Sequence, residues 1–197
     1  MNNPVQAMSD LDLLAMMVGR KTATRMFECA GGRFEKLLSD SEPERGPNAR
    51  ARMKLKVARE LMRRCLAEAL HHRDALTSPA AVRDYLRVTL SGRDYEVFMT
   101  LFLDAQNRIL VSEEMFRGTL TQTSVYPREV VKRSLFHNAA AVIFAHNHPS
   151  GVAEPSHSDE LLTQSLRQAL ALVDVKVLDH FVVGGGAVMS FAERGLL

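Results

Sequence analysis

The chain has 197 residues, 46% hydrophobic and 24% charged, with a net charge of +2, an ordinary globular composition with chain enough for one large or two small domains. No apolar run approaches the length of a membrane span, Met1-Asn2-Asn3-Pro4 carries no basic segment followed by an apolar core of the secretory kind, and the near-balanced charge excludes a molecule that is basic throughout. A cytoplasmic protein without membrane contact is expected, and Cys29 and Cys65, far apart in sequence, read as buried thiols rather than a disulfide framework.

Residues 9 to about 72 read as helical. Ser9-Asp10 can cap a first helix whose apolar positions Leu11, Leu14, Ala15 and Val18 recur at helical spacing, with Gly19 to end it. A second helix is expected over Thr22 to Cys29, stopped by Gly31-Gly32, and a short third around Phe34, Leu37 and Leu38. Ser39 to Asn48 is turn-rich. Arg50 to His71 predicts a long helix with Leu55, Ala58, Leu61, Met62, Cys65, Leu66 and Ala69 on its buried stripe. Arg45, Arg50, Arg52, Lys54, Lys56, Arg59, Arg63 and Arg64 crowd the same stretch; such a run is either a solvated helix face or a surface that tracks phosphates. His72 to Pro79 reads as a linker, which gives a small helical domain over 1–76 and a second domain over 77–197.

From Ser78 the pattern changes. Ser78-Pro79 opens a helix to Leu90. Glu96 to Asp104 is rich in Val, Phe and Leu and reads as a strand, Asp104 to Arg108 as a turn, and Arg108 to Leu120 as containing the return strand. Tyr126-Pro127-Arg128 opens a helix carrying Val130, Val131, Leu135 and Phe136. Ala140 to Ala145 is a buried strand, a helix follows from Ser156 to about Leu172, and Val175 to Val183 and Ala187 to Phe191 are strands around Gly184-Gly185-Gly186. Strands and helices alternate with hairpins among them, which predicts an α/β (α+β) sandwich of one sheet and its helices.

The chemistry concentrates at the end of the Ala140 strand, in Ala145-His146-Asn147-His148-Pro149-Ser150-Gly151 followed by Pro155-Ser156-His157-Ser158-Asp159. Side chains alternate faces along a strand, so His146 and His148 project one way and Asn147 the other. Pro149 cannot extend a ladder and Gly151 permits a sharp turn. Ser156-x-x-Asp159 has the form of a capping box at a helix start, and the reversal brings Asp159 back towards the imidazoles. Two histidines and a carboxylate are a three-donor set for a catalytic zinc with its fourth position open.

His146-Asn147-His148-Pro149-Ser150-Gly151 with Pro155-Ser156-x-x-Asp159 resembles the signature of the JAMM (MPN-plus) metalloprotease domain, and of the bacterial RadC family within it. Tyr126-Pro127-Arg128-Glu129, Asn138 to Ala141, Leu178-Asp179-His180 and Ser190 to Gly195 are also RadC-like, so the resemblance runs from Ser78 to Leu197. It implies an MPN-type sheet flanked by helices, a zinc held by His146, His148 and Asp159, and hydrolysis of a peptide or isopeptide bond in a peptide or protein substrate. It further implies a general base on a glutamate near the start of the first strand, where Glu96 is the matching position; Glu113 and Glu114 on the return strand compete for that role. Ser156 matches the serine that donates to the oxyanion. His157 is not at a ligand position, Asp179-His180 has either a supporting or a purely structural role, and His71, His72 and His137 read as surface residues.

The family also implies a helix-hairpin-helix-like N-terminal module that binds DNA through backbone N–H groups of a Gly-rich turn, and with it a role in DNA repair as the alternative reading. Here that turn reads Arg45-Gly46-Pro47-Asn48-Ala49-Arg50. Pro47 removes an N–H and only one glycine remains, which leaves the arginines to meet phosphate by charge.

Overall fold

The computed structural model describes residues 4–37, 47–71, 75, 78–118 and 125–197. Leu38 of the expected third helix, residues 39–46 of the expected turn region, most of the expected linker (72–74 and 76–77) and Leu120 lie outside the described residues. The chain divides into two units, Met1–Met62 and Arg63–Leu197.

The first unit is helical. After a short 3-10 turn, Pro4–Ala7, come α1 (Asp10–Val18), α2 (Arg20–Cys29), α3 (Phe34–Leu37) and the first part of α4 (Ala49–His71). Ser9 caps α1 as expected: its hydroxyl accepts from the Asp12 amide at 3.2 Å. Gly19, at φ +87°, ends α1 with an N–H to the Ala15 carbonyl and at once begins α2, two residues earlier than the spacing predicts. Leu14, Ala23, Met26, Ala30, Leu37, Ala51 and Leu55 form the core of this unit.

The stripe expected along α4 is buried at Leu55 but not beyond it. Leu61 and Met62 are 59% and 57% exposed and Cys65 is exposed, whereas Ala51, Leu55 and Leu70 are buried. The helix serves two cores in turn: Ala51 and Leu55 belong to the helical cluster, while Leu66, Ala67 and Leu70 pack with the second unit's sheet. One continuous stripe presumes a single core. Both cysteines are free and exposed, not buried.

The second unit contains the rest of α4, then α5 (Pro79–Leu90), β1 (Val97–Leu103), β2 (Ile109–Arg117), α6 (Pro127–Phe136), β3 (Ala141–Asn147), α7 (His157–Ala171), β4 (Lys176–Gly184) and β5 (Ala187–Ser190). The strands form one sheet in the order β2-β1-β3-β4-β5. The β3–β4 pair is parallel and the other pairs are antiparallel. Ser78 stands at the N-cap of α5, yet its side chain makes no capping bond; its carbonyl alone receives the Ala81 and Val82 amides.

β1 and β3 are buried along their whole length because helices cover both faces of the sheet. Val97, Met99, Leu101, Leu103, Ile143 and Ala145 point to the face packed by α5 and the end of α4. Phe98, Phe102, Val142 and Phe144 point to the face packed by α6 and α7 through Val130, Leu166 and Leu170. A fully buried side chain of this kind contributes about 1.5–3 kcal/mol, so the aromatic layer on the α7 side is a stiff base for whatever the strand ends carry. β3 runs two residues beyond the apolar stretch that announced it, since the ladder continues through His146↔Val182 and Asn147↔Val183. Polarity ended the sequence signal at Ala145, but the hydrogen-bonding partners did not end there.

Candidate metal centre

Strand register decides where the histidines point. His146 lies opposite Phe98 of β1 and beside Val182 of β4, on the α7 face, 1% exposed. His148 follows two residues on and is held in line by its amide, which donates to the Val183 carbonyl at 2.8 Å. Asn147 faces the other way and ties the strand ends together: its Oδ1 accepts from the Val97 amide at 2.8 Å and its Nδ2 donates to the Tyr95 carbonyl at 3.0 Å.

The chain then turns through Gly151, at φ +81°. The His148 Nδ1 meets the Val152 carbonyl at 2.8 Å, so the loop orients the imidazole of the residue that begins it. That loop sits directly on β4. A Cβ at Gly184 would lie 2.6 Å from the Val152 carbonyl carbon, and one at Gly185 2.6 Å from the Gly151 oxygen. Gly184→Ala is therefore expected to lower stability by about 1–3 kcal/mol, the usual cost of overpacking, and to weaken metal binding by shifting the Val152 acceptor. Urea unfolding and a metal titration read the two effects; unchanged values would show that the loop gives way freely.

Ser156 starts α7 with the complete capping box the sequence announces. Its hydroxyl accepts from the Asp159 amide at 3.2 Å and donates to Asp159 Oδ2 at 2.7 Å, and its own amide donates to the same oxygen at 2.7 Å. Asp159 is thereby aimed at both imidazoles: His146 Nε2 lies 3.4 Å from Oδ1 and His148 Nε2 3.4 Å from Oδ2. The two Nε2 atoms are 2.9 Å apart, and one donor atom from each residue falls within 4.8 Å of the others. Burial pushes the Asp159 carboxyl up, but the His146 and His148 imidazoles beside it outweigh burial and hold the group far below the usual carboxylate range. Donation to the Asp159 carboxylate raises His148, against burial.

The donor chemistry fits zinc. Ligands at 2.0–2.1 Å in a tetrahedron stand about 3.3–3.4 Å apart; the two histidine–carboxylate separations match, and the histidine–histidine one is shorter by about 0.4 Å, a small spread for an ion to open. Three protein donors leave the fourth position vacant.

Behind this set sits His180, which the sequence could not place. It lies on β4 beside Phe144, fully buried. Its Nε2 is 2.8 Å from His146 Nδ1 and its Nδ1 is 2.6 Å from the Thr163 hydroxyl, which in turn donates to the Asp159 carbonyl at 2.6 Å. Burial, helped by the neighbouring His146, drives His180 well below the ordinary imidazole value, so it stays neutral. Thr163 went unremarked in the sequence although it stands four residues after Asp159 on the same helix face. Asp179, pushed up by burial, braces the C-terminal turn by accepting from Ser190 Oγ at 2.6 Å and from the Ala192 and His180 amides.

Glu96 immediately precedes β1. Extending the antiparallel register from Phe98↔His146 brings it level with His148 and, by alternation, to the same face; its charge acts on that imidazole. Glu113 is engaged elsewhere, with the Arg133 Nε at 2.7 Å and His137 Nε2 at 2.8 Å, and the Arg133 bond holds its pKa down. Glu114 pairs with Arg93 at 2.7 Å. His137 is therefore not a free surface residue: it is tucked against Phe102 as well. His157 is exposed, 3.8 Å from Glu160 and outside the cluster.

A family model described as the RadC-like JAB domain matches residues 76–196. The chain belongs to the RadC family. Similar members are UPF0758 proteins, among them one of Nitrosospira multiformis that is 66% identical over 143 residues, covering 73% of this chain and 64% of that protein. Others, from Leptothrix cholodnii and Herminiimonas arsenicoxydans, are 53% and 52% identical over 97% and 96% of this chain and 91% and 90% of their own lengths. The match to the first thus spans under two thirds of its length. Among the described residues of this RadC chain, no helix is long and apolar enough to cross a membrane.

Proposed function

We propose that this RadC protein is a zinc-dependent hydrolase of the JAMM type that cleaves a peptide or isopeptide bond. The observation that carries the reading is the convergence of His146, His148 and Asp159 donor atoms within 4.8 Å, with Glu96 on the same side of the sheet. When bound, zinc supplies Lewis acidity that lowers the pKa of water from about 15.7 to about 7 and polarises a carbonyl. His146, His148 and Asp159 would hold the ion. Glu96 accepts the proton of the attacking water and passes it to the leaving amine; Glu113 and Glu114 are bound to arginines and unsuited to that task. Ser156 anchors Asp159, and a turn of its hydroxyl away from Oδ2 frees it to donate to the oxyanion, a contact of a kind worth roughly 3–4 kcal/mol of barrier. Peptide-library cleavage, run with metal analysis on wild type and His148→Ala, tests the reading. Cleavage that survives loss of metal would defeat it.

A second reading, DNA docking, has its support in the exposed cations Arg50, Lys54, Lys56 and Arg64 along α4. Binding through phosphates weakens steeply with salt. Affinity for duplex and single-stranded DNA that falls in this way is the expected result, and no binding at low salt removes the reading.

A further inference from the structure

Two of the three donors are joined from behind by a single chain of hydrogen bonds: His146 Nδ1 to His180 Nε2 at 2.8 Å, His180 Nδ1 to Thr163 Oγ1 at 2.6 Å, and Thr163 Oγ1 to the Asp159 carbonyl at 2.6 Å. His146, His180 and Thr163 are each no more than 1% exposed, so every proton in the chain must find its acceptor inside it. The His180 ring is also confined, stacked on Phe191 at 4.8 Å and met edge-on by Phe98 at 5.6 Å and Phe144 at 5.9 Å. It keeps the same nitrogen towards His146.

Such a chain has two polarities. In one, the Thr163 hydroxyl donates to the Asp159 carbonyl, His180 Nδ1–H donates to Thr163, and His146 Nδ1–H donates to His180, which leaves His146 Nε2 with a bare lone pair facing the Asp159 carboxylate and His148. In the other, Thr163 donates to His180, His180 Nε2–H donates to His146, and the remaining His146 proton sits on Nε2, where it blocks a metal. Only the first leaves a ligand. The threonine decides between them, because a helical threonine hydroxyl readily rests on the carbonyl four residues back, and here that carbonyl belongs to Asp159.

We propose that Thr163 and His180 are positioning residues that fix His146 as its Nδ1–H tautomer, so that Nε2 is presented to a divalent cation before the cation arrives. This rests on the metal-site reading and extends it to the residues that make the site competent. Supporting partners of this kind raise metal affinity by about 10–100-fold.

The test uses zinc affinity, measured by competition with a chromophoric chelator on the full chain, together with the absorption spectrum of the cobalt-loaded protein. Thr163→Val keeps the shape and removes the hydroxyl; it is expected to weaken zinc about 10–100-fold and to alter the cobalt bands. Thr163→Ser keeps the hydroxyl and is expected to restore both, which a purely packing role for the methyl group would not do. If Thr163→Val does not fold, nitrogen-15 imidazole NMR of metal-free wild type at alkaline pH still decides: the His146 proton belongs on Nδ1. Wild-type affinity in Thr163→Val, failure of Thr163→Ser to restore binding, or a proton on Nε2 overturns the inference. A wild type that binds no zinc at all overturns instead the hydrolase reading on which it rests.

Discussion

Wild-type protein purified without a histidine tag is expected to carry about one zinc per chain, and His146→Ala, His148→Ala and Asp159→Ala to carry none in stoichiometric amount. A three-donor site that loses one member keeps two ligands, too few to hold the ion against water, and the loss exceeds the 10–100-fold attached to a supporting hydrogen bond. Asp159→Ala has a second consequence. Its Oδ2 receives both the amide and the hydroxyl of Ser156, so the variant also loses half of the capping box and is expected to be about 1 kcal/mol less stable, as loss of a cap costs. Elemental analysis and thermal unfolding separate the two effects; stoichiometric zinc in His146→Ala or Asp159→Ala would dismiss the proposed ligand set.

Glu96→Gln is expected to do the opposite: keep the metal and lose turnover, by about 10²–10⁴-fold, the typical contribution of a positioned general base. The amide is isosteric with the carboxylate and cannot take a proton. The residue lies beside His148 and outside the trio of donors, so metal content is expected to stay at the wild-type level. Full activity in Glu96→Gln would shift the search for the base, and Glu113 would be an unattractive heir while Arg133 and His137 hold its carboxylate.

Much of the centre was readable from residues because it is built locally. Two-residue alternation places His146 and His148 on one face, and a capping box places Asp159 at a helix start; both rules act over four residues or fewer. His180 is left with an open role in the sequence for the converse reason. It reaches His146 through the parallel pairing of β3 with β4, across a whole helix of intervening chain, and a lone sequence carries no mark of which strand lies beside which. The α4 stripe holds at Leu55 and fails at Leu61, Met62 and Cys65, because Leu55 and Leu70 answer to different cores. His137 looked like a surface residue until Glu113 of β2 and Phe102 of β1 were brought against it.

The glycine pair at the end of β4 has a wider meaning. Where the Val152 backbone rests on Gly184 and the Gly151 carbonyl on Gly185, main chain touches main chain and no side chain intervenes. The rim that carries His148 is thus seated independently of what its own residues display. Ser150 and Val152 face solvent, so substitution there can change the surface beside His148 while the three donor side chains stay where they are.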